Sequence, residues 1–321
     1  MKYQIGFTVM ALIAFMAMDL KAQKMSHLEH VELGKVKWYR DYDEATQAAK
    51  DQGKDIVVLF QEVPGCATCR NYGHNVLTHP LMVEALENSF IPLTIFNNKG
   101  GDDRKILTKY KEPTWNNPVV RIINSDGDNL INRIAGDYSA KALCNSMISV
   151  LKKQGKEVPE YLNLLALELS TASSYQVTEK YFQMYCFWTG EKQLGQIDGV
   201  IDTESGFMNH AEVVKIKYDS DLVSESELEN FANKNNMRPV DKKGKYSVAT
   251  NDVHYYLKNS KYKYIPLTEL QKTKINSALG NRNSPERYLS PKQQRWLQTV
   301  SSGSKNLSDV DFIDAWSSKE S

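Results

Sequence analysis

Cysteines are the residues of this chain best suited to covalent chemistry, and there are four of them: Cys66, Cys69, Cys144 and Cys186. Four are too few for a disulfide scaffold in a chain of 321 residues, so they suit redox or nucleophilic use. In the pair Cys66-x-x-Cys69, one thiolate could attack a disulfide or a sulfenic acid, and the other thiol could resolve the mixed disulfide. Cys186 stands directly before Phe187 and Trp188, which predicts either a buried spacer or a nucleophile beside an apolar pocket.

The elements around the first pair place the Cys66 sulfur at the start of a helix. The apolar run "DIVVLF" predicts a buried strand, and Pro64-Gly65 predicts a turn before the cysteine. Unpaired N–H groups and the helix dipole at such a position favour a thiolate. A disulfide spanning two residues would stabilise little, and no second Cys-x-x-Cys or His-x-x-x-His completes a zinc set. The sequence therefore predicts redox use, no metal site, and a core position for Cys144.

The order of elements that carries the dithiol is typical of an α/β unit. A helix ends near Gly53, the buried strand and the cysteine helix follow, and then "LMVEALENS" and "FIPLTIF" predict a further helix and strand. Two strands with a Ser-Asp-Gly-Asp turn and a helix ending at Gly155 complete it. With Pro118 at the start of the third strand, this order resembles a thioredoxin fold across residues 36–155. The resemblance implies that Pro118 is cis, lies against the dithiol and helps to bind substrate.

A second set of reactive groups surrounds Cys186. "EKYFQMY" predicts a strand, so Cys186 is also expected at a strand-to-helix turn. Downstream stand His210-Ala211-Glu212, a strand ending in Tyr-Asp, and a helix begun by the capping box Ser224-x-x-Glu227. With Cys-Phe-Trp and Glu191, these motifs resemble methionine sulfoxide reductase A (MsrA) across about residues 178–298.

This resemblance implies a specific division of labour. The Cys186 thiolate would attack the sulfoxide sulfur, Glu212 would protonate the departing oxygen, and Phe187 with Trp188 would enclose the S-methyl group. Asp252 and Tyr256 match the family's supporting pair when one position is skipped. The products would be methionine and a sulfenic acid on Cys186, which another thiol must reduce.

Two departures from the family pattern affect this prediction. The family's Gly-rich loop ending in Pro-Thr-Tyr is reduced here to residues 199–209, with Asn209 in place of a Gly, and the lost tyrosine donor is worth about 3 kcal/mol of transition-state stabilisation. No cysteine follows Cys186 to resolve its sulfenic acid. The Cys66–Cys69 dithiol on the same chain would replace it, at an effective concentration of roughly millimolar order.

Localisation and partners follow from the N-terminus and the charge balance. Lys2, an apolar stretch over 5–18 and a cleavage motif before Gln23 predict a signal peptide over residues 1–22. The apolar stretch is shorter than the roughly 20 apolar residues that a membrane-spanning helix needs. We therefore expect a periplasmic or secreted protein that does not insert into a membrane after cleavage. With 40 Lys and Arg against 39 Asp and Glu, no nucleic-acid partner is expected.

The predicted architecture is an α/β thioredoxin-like fold (30–155), a linker (156–177), an α+β ferredoxin-like MsrA-type domain (178–300) and a disordered polar tail (301–321). The predicted function is thiol-dependent reduction of methionine S-sulfoxide in peptides or proteins, without a cofactor and with an upstream thiol or dithiol as electron donor. The alternative is a thiol-disulfide oxidoreductase whose second domain has lost catalysis and binds clients.

Overall fold

The computed structural model describes residues 26–27, 29–172, 176–241, 244–301 and 303–320. The described chain forms two compact units that divide after Gly155. The predicted signal peptide, 1–22, lies outside the described residues. Within the described ranges, every helix is too short or too polar to cross a membrane.

The strands of the first unit are β1 (Ser26–His27), β2 (Lys37–Trp38), β3 (Asp55–Gln61), β4 (Phe90–Phe96), β5 (Val119–Ile123) and β6 (Ile134–Ala135). Four of them form a mixed sheet in the order β4-β3-β5-β6, with β3 parallel to β4 and antiparallel to β5. All seven residues of β3 are buried, as its run of apolar and β-branched side chains predicts.

The helices of the first unit lie where the sequence predicts them, except for the helix over Asp102–Tyr110, which was not predicted. They are α1 (Tyr42–Gln52), α2 (Ala67–Asn75), α3 (Pro80–Ser89), α4 (Asp102–Tyr110) and α5 (Ala140–Lys153). Helix α1 begins where the Asp41 side chain accepts the Glu44 N–H and ends at Gly53, whose φ of 63° suits a residue without a Cβ. Cys144 is fully buried in α5, which confirms its predicted core position.

The cis conformation predicted for Pro118 is wrong. Among the described residues the cis peptide bond is Val63–Pro64, and the bond before Pro118 is trans. Trans is the lower-energy form of an X–Pro bond by roughly 0.5–1 kcal/mol, so the sequence alone does not determine the isomer.

The strands of the second unit are β7 (Val177–Gln183), β8 (Val200–Met208), β9 (Ala211–Asp219), β10 (Arg238–Val240) and β11 (Tyr246–Val248). They form an antiparallel sheet in the order β10-β7-β9-β8-β11. Phe182, Val214 and Ile216 belong to the apolar core of this unit, against which the helix after β7 also packs. The helices are α6 (Glu160–Thr171), α7 (Phe187–Leu194), α8 (Glu225–Lys234), α9 (Tyr255–Lys258), α10 (Glu269–Gly280), α11 (Pro291–Thr299) and α12 (Phe312–Glu320).

Residues 199–209, predicted as a shortened loop, form the strand β8 instead. A two-residue turn, Asn209-His210, joins β8 directly to β9, and Met208 pairs with Ala211. Both turn residues have positive φ, 51° and 63°. This is the pattern of a type I′ hairpin turn, in which Asn is favoured. The shortening therefore converts a loop into a hairpin.

The segments predicted as a linker and as a disordered tail both pack into the second unit. The predicted linker contains α6, whose Leu164 belongs to an apolar cluster of that unit. The predicted disordered tail contains α12, whose Trp316 is only 3% exposed and packs edge to face on Trp296, with the ring centroids 4.7 Å apart. In the tail, apolar side chains at helical spacing outweigh the polar composition that suggested disorder.

Candidate functional site

Cys66 and Cys69 form a free dithiol at the start of α2. Cys66 is the N-cap residue and is exposed, while Cys69 is buried one turn further on, with the two Sγ atoms 3.4 Å apart. Burial opposes ionisation of Cys66, but hydrogen bonds from Cys69 and Thr68 outweigh it and lower the pKa of Cys66. Burial, together with the neighbouring Cys66, raises the pKa of Cys69 to about 12. Cys66 is therefore suited to attack and Cys69 to resolve.

Glu32, in a turn before the first unit's sheet, supports this dithiol. The sequence did not predict this role. Glu32 is 3% exposed, and its Oε1 accepts the Gly65 N–H at 2.8 Å, next to Cys66. The Gln61 side chain donates to the Glu32 carbonyl. Gly73 of α2 allows the contact, because a Cβ there would lie 2.0 Å from the Val31 carbonyl oxygen. A glycine inside a helix is the sequence signal that could have indicated this close approach.

The loop before β5 also reaches the dithiol. Asn117 Oδ1 lies 3.4 Å from Cys66 Sγ, and the buried Pro118 follows it. The residue that contacts the reactive sulfur in this loop is thus Asn117, beside the position that the sequence predicts. Trp115, two residues earlier, is 75% exposed.

Cys186 occupies the equivalent local position in the second unit, as the N-cap of α7 directly after β7. It is partly buried. The Phe187 N–H donates to Glu212 Oε2 at 2.8 Å, and the Met184 N–H donates to the Glu212 carbonyl at 3.1 Å. Because β7 and β9 pair with Gln183 opposite Val213, the start of β9 brings Glu212 to the end of β7. A carboxyl group therefore lies at the helix N-terminus beside the cysteine.

Aromatic side chains line the same end of the sheet. The ring centroids of Phe187 and Phe207 are 5.5 Å apart. The Trp188 ring stacks on the Tyr255 ring, with a distance of 4.0 Å between their centroids. Phe207 stands directly opposite Glu212 in the β8–β9 pair. The structure thus brings an apolar cage and an acid together, which can hold an S-methyl group and protonate an oxygen next to it.

Asp252 and Tyr256, predicted as a supporting pair, have separate partners. Asp252 Oδ1 accepts the Trp188 indole N–H at 3.0 Å and so orients that ring. Tyr256 meets Tyr255 edge to face at 5.6 Å. Burial, followed by the charge of Cys186, raises the pKa of Tyr256.

Comparisons with known proteins show similarity to two families. A family model described as thioredoxin-like matches residues 37–125. A peptide methionine sulfoxide reductase MsrA from Thermoactinomyces vulgaris is 32% identical over 113 residues, which are 30% of this chain and 91% of that protein. This chain belongs to the MsrA family.

Two further similarities are to a second MsrA and to a thioredoxin of known structure. An MsrA from Methanococcus maripaludis is 36% identical over 64 residues, 15% of this chain and 41% of that protein. Among solved structures, a thioredoxin from Thermus thermophilus is 21% identical and covers 37% of this chain and 90% of its own, with a TM-score of 0.33. The family model places a thioredoxin-like domain at residues 37–125 of this MsrA-family chain.

In this MsrA-family chain, a buried carboxyl group holds the loop that carries Asp252 against α7. Glu191 is fully buried and accepts the His254 N–H through both carboxyl oxygens, at 3.2 and 3.0 Å. Burial raises the pKa of Glu191 to about 8. His254 itself has a left-handed φ of 54°. The sequence indicated Glu191 only as a motif residue, and it gave no signal for the contacts of Phe207 or Tyr255.

Proposed function

We propose that this chain reduces methionine S-sulfoxide in peptides or proteins at Cys186. The single observation that carries the proposal is the Phe187 N–H to Glu212 hydrogen bond, because it sets a carboxyl group beside a thiol at a helix N-terminus. The aromatic cage of Phe187, Trp188 and Phe207 would accept the S-methyl group.

The chemistry is a two-electron reduction. The Cys186 thiolate attacks the sulfoxide sulfur, Glu212 delivers a proton to the oxygen, and the oxygen is transferred to Cys186 as a sulfenic acid while the substrate leaves as methionine. The Cys66 thiolate then attacks the sulfenic acid, which releases water and forms a Cys66–Cys186 disulfide. Cys69 displaces Cys186, and an external thiol or dithiol reduces the Cys66–Cys69 disulfide.

The order of elements in the second unit supports its assignment as a ferredoxin-like MsrA-type domain. The sequence of elements β7-α7-β8-β9-α8-β10, with β10-β7-β9-β8 adjacent in the sheet, is the split β-α-β arrangement. Export to the periplasm or beyond is part of the proposal and is carried by the N-terminal sequence pattern.

Turnover of a methionine sulfoxide peptide with dithiothreitol as reductant tests the proposal. We expect the parent chain to produce methionine and the variant Cys186→Ser to produce none. Cys144→Ser is the matched control, because Cys144 is buried in the other unit and should not affect the rate. Equal rates in parent and Cys186→Ser would refute the assignment.

A trapping experiment tests the regeneration step. In Cys69→Ser the resolving thiol is gone, so one turnover with substrate should leave the Cys66–Cys186 disulfide, detectable by mass spectrometry of non-reduced peptides. If methionine forms but that linkage is absent, an outside thiol regenerates Cys186 and the two units serve separate clients.

The hairpin at Asn209-His210 favours one second candidate function. Because β8 replaces the loop that supplies the family's tyrosine, and Phe207 has no hydroxyl, the second unit could bind clients for a thiol-disulfide oxidoreductase without catalysing sulfoxide reduction. Insulin reduction that depends on Cys66, in a chain inactive on methionine sulfoxide, would establish this alternative.

A further inference from the structure

The dithiol is surrounded by more donor atoms than thiol exchange requires. The ligand atoms of Glu62, Cys66 and Cys69 all lie within 4.8 Å of one another, and this is the metal-type cluster found among the described residues. Asn117 Oδ1, at 3.4 Å from Cys66 Sγ, adds a fourth donor. Spacings of cysteine and histidine along the sequence do not reveal this set, because its donors come from two loops that are distant in the chain.

The separations between these donors suit a tetrahedral thiophilic ion. With Zn–S near 2.3 Å and Zn–O near 2.0 Å, tetrahedral geometry places two sulfurs about 3.8 Å apart and a sulfur and an oxygen about 3.5 Å apart. The Cys66 and Cys69 sulfurs are 3.4 Å apart, and the Cys66 sulfur and the Asn117 oxygen are also 3.4 Å apart. The Glu62 carboxylate oxygen lies within 4.8 Å of both sulfurs.

The backbone that carries three of these donors is already held in place. Asn98 Oδ1 accepts the Val63 N–H at 3.2 Å, and the Asn98 amide donates to the Pro64 carbonyl at 3.2 Å. Gly65 lets the turn approach the buried thiol, since a Cβ there would lie 3.1 Å from Cys69 Sγ. The end of β3 and the start of α2 therefore hold their donors close together without help from an ion.

We propose that the reduced dithiol, with Glu62 and Asn117, binds one zinc ion reversibly and that bound zinc blocks the thiol–disulfide reaction. On binding, zinc replaces the protons of the two thiols, which are released to solvent. The two thiolates and the Glu62 carboxylate together carry three negative charges, which exceed the two positive charges of the ion. The oxidised pair has no thiolate, so it cannot bind the ion. The site would thus report the redox state of the first unit, independently of chemistry at Cys186.

The test is a zinc titration of the full chain, reduced and kept anaerobic, against a chromogenic chelator. We expect one zinc per chain, release of protons on binding, and no binding after oxidation to the Cys66–Cys69 disulfide. Glu62→Gln should weaken binding at least tenfold, while the exposed Glu157→Gln should leave it unchanged. Asn117→Ala should weaken it by a smaller factor, since a neutral amide oxygen is the weakest of the four donors.

Circular dichroism of each variant separates loss of the site from loss of folding. Zinc should also inhibit insulin reduction by the parent, and a chelator should restore the rate. Affinity in Glu62→Gln equal to that of the parent, with the fold retained, would overturn the proposal because the dithiol alone would then account for binding. Absence of saturable binding at one equivalent would also overturn it. Failure of sulfoxide turnover would not, since the titration does not involve Cys186.

Discussion

Replacing Glu212 by Gln tests the proposed acid with little change of shape. The Gln side chain keeps an oxygen that can accept the Phe187 N–H, now at 2.8 Å, so the start of α7 and the position of Cys186 should persist. What the variant loses is the ability to give a proton to the sulfoxide oxygen, and general acids contribute roughly 10²–10⁴-fold. We expect kcat to fall about a hundredfold, which is about 2.7 kcal/mol of barrier.

The assay is steady-state turnover of a methionine sulfoxide peptide with dithiothreitol. KM should stay near the parent value, because the aromatic cage is unchanged. Glu179→Gln, an exposed carboxylate on the adjacent strand β7, is the matched control and should behave as the parent. Parental kcat in Glu212→Gln would show that Glu212 only anchors the helix start, and a loss confined to KM would assign it to binding.

Three further predictions concern the rest of the chain. Phe207→Tyr adds a hydroxyl opposite Glu212 and should raise kcat about tenfold, part of the roughly 3 kcal/mol a lost donor is worth; an unchanged rate would show that the ring does not reach the sulfoxide oxygen. Gly73→Ala places a Cβ 2.0 Å from the Val31 oxygen and should lower the free energy of unfolding by about 2–3 kcal/mol in denaturant titrations, whereas Gly100→Ala, with nothing within 4 Å, should change it by less than about 0.5 kcal/mol. Burial raises the pKa of Glu191 from 4.5 to about 8, so the folded state binds a proton that the unfolded chain releases, and stability should fall as pH rises between about 4.5 and 8. Glu191→Gln should flatten this part of the unfolding-versus-pH curve, and an equal slope in the variant would assign it to another group.

The amino-acid sequence alone determined the local chemistry of both cysteine sites. A buried strand, a turn and a helix start lie within about ten residues of Cys66, so the position of its sulfur follows from short-range signals such as Pro64-Gly65. The same holds for Cys186 between β7 and α7. The capping box Ser224–Glu227 is also local, and both of its hydrogen bonds form as predicted.

The sequence-based predictions that failed were made from composition or from the family pattern, without knowledge of side-chain packing. The polar tail folds because Trp316 packs against Trp296, and the composition of the tail does not predict this contact. The shortened loop became β8 because Asn209 and His210 can both adopt positive φ, which closes a two-residue hairpin.

Only the tertiary structure decided which distant residues complete the two sites. Strand register places Phe207 opposite Glu212, and the end of β3 places Glu62 beside a thiol pair whose other neighbour, Asn117, comes from the loop before β5. Glu32 reaches the dithiol from a turn more than thirty residues earlier. Such contacts depend on strand pairing and on close backbone approach at Gly73, and neither leaves a periodic pattern in the chain.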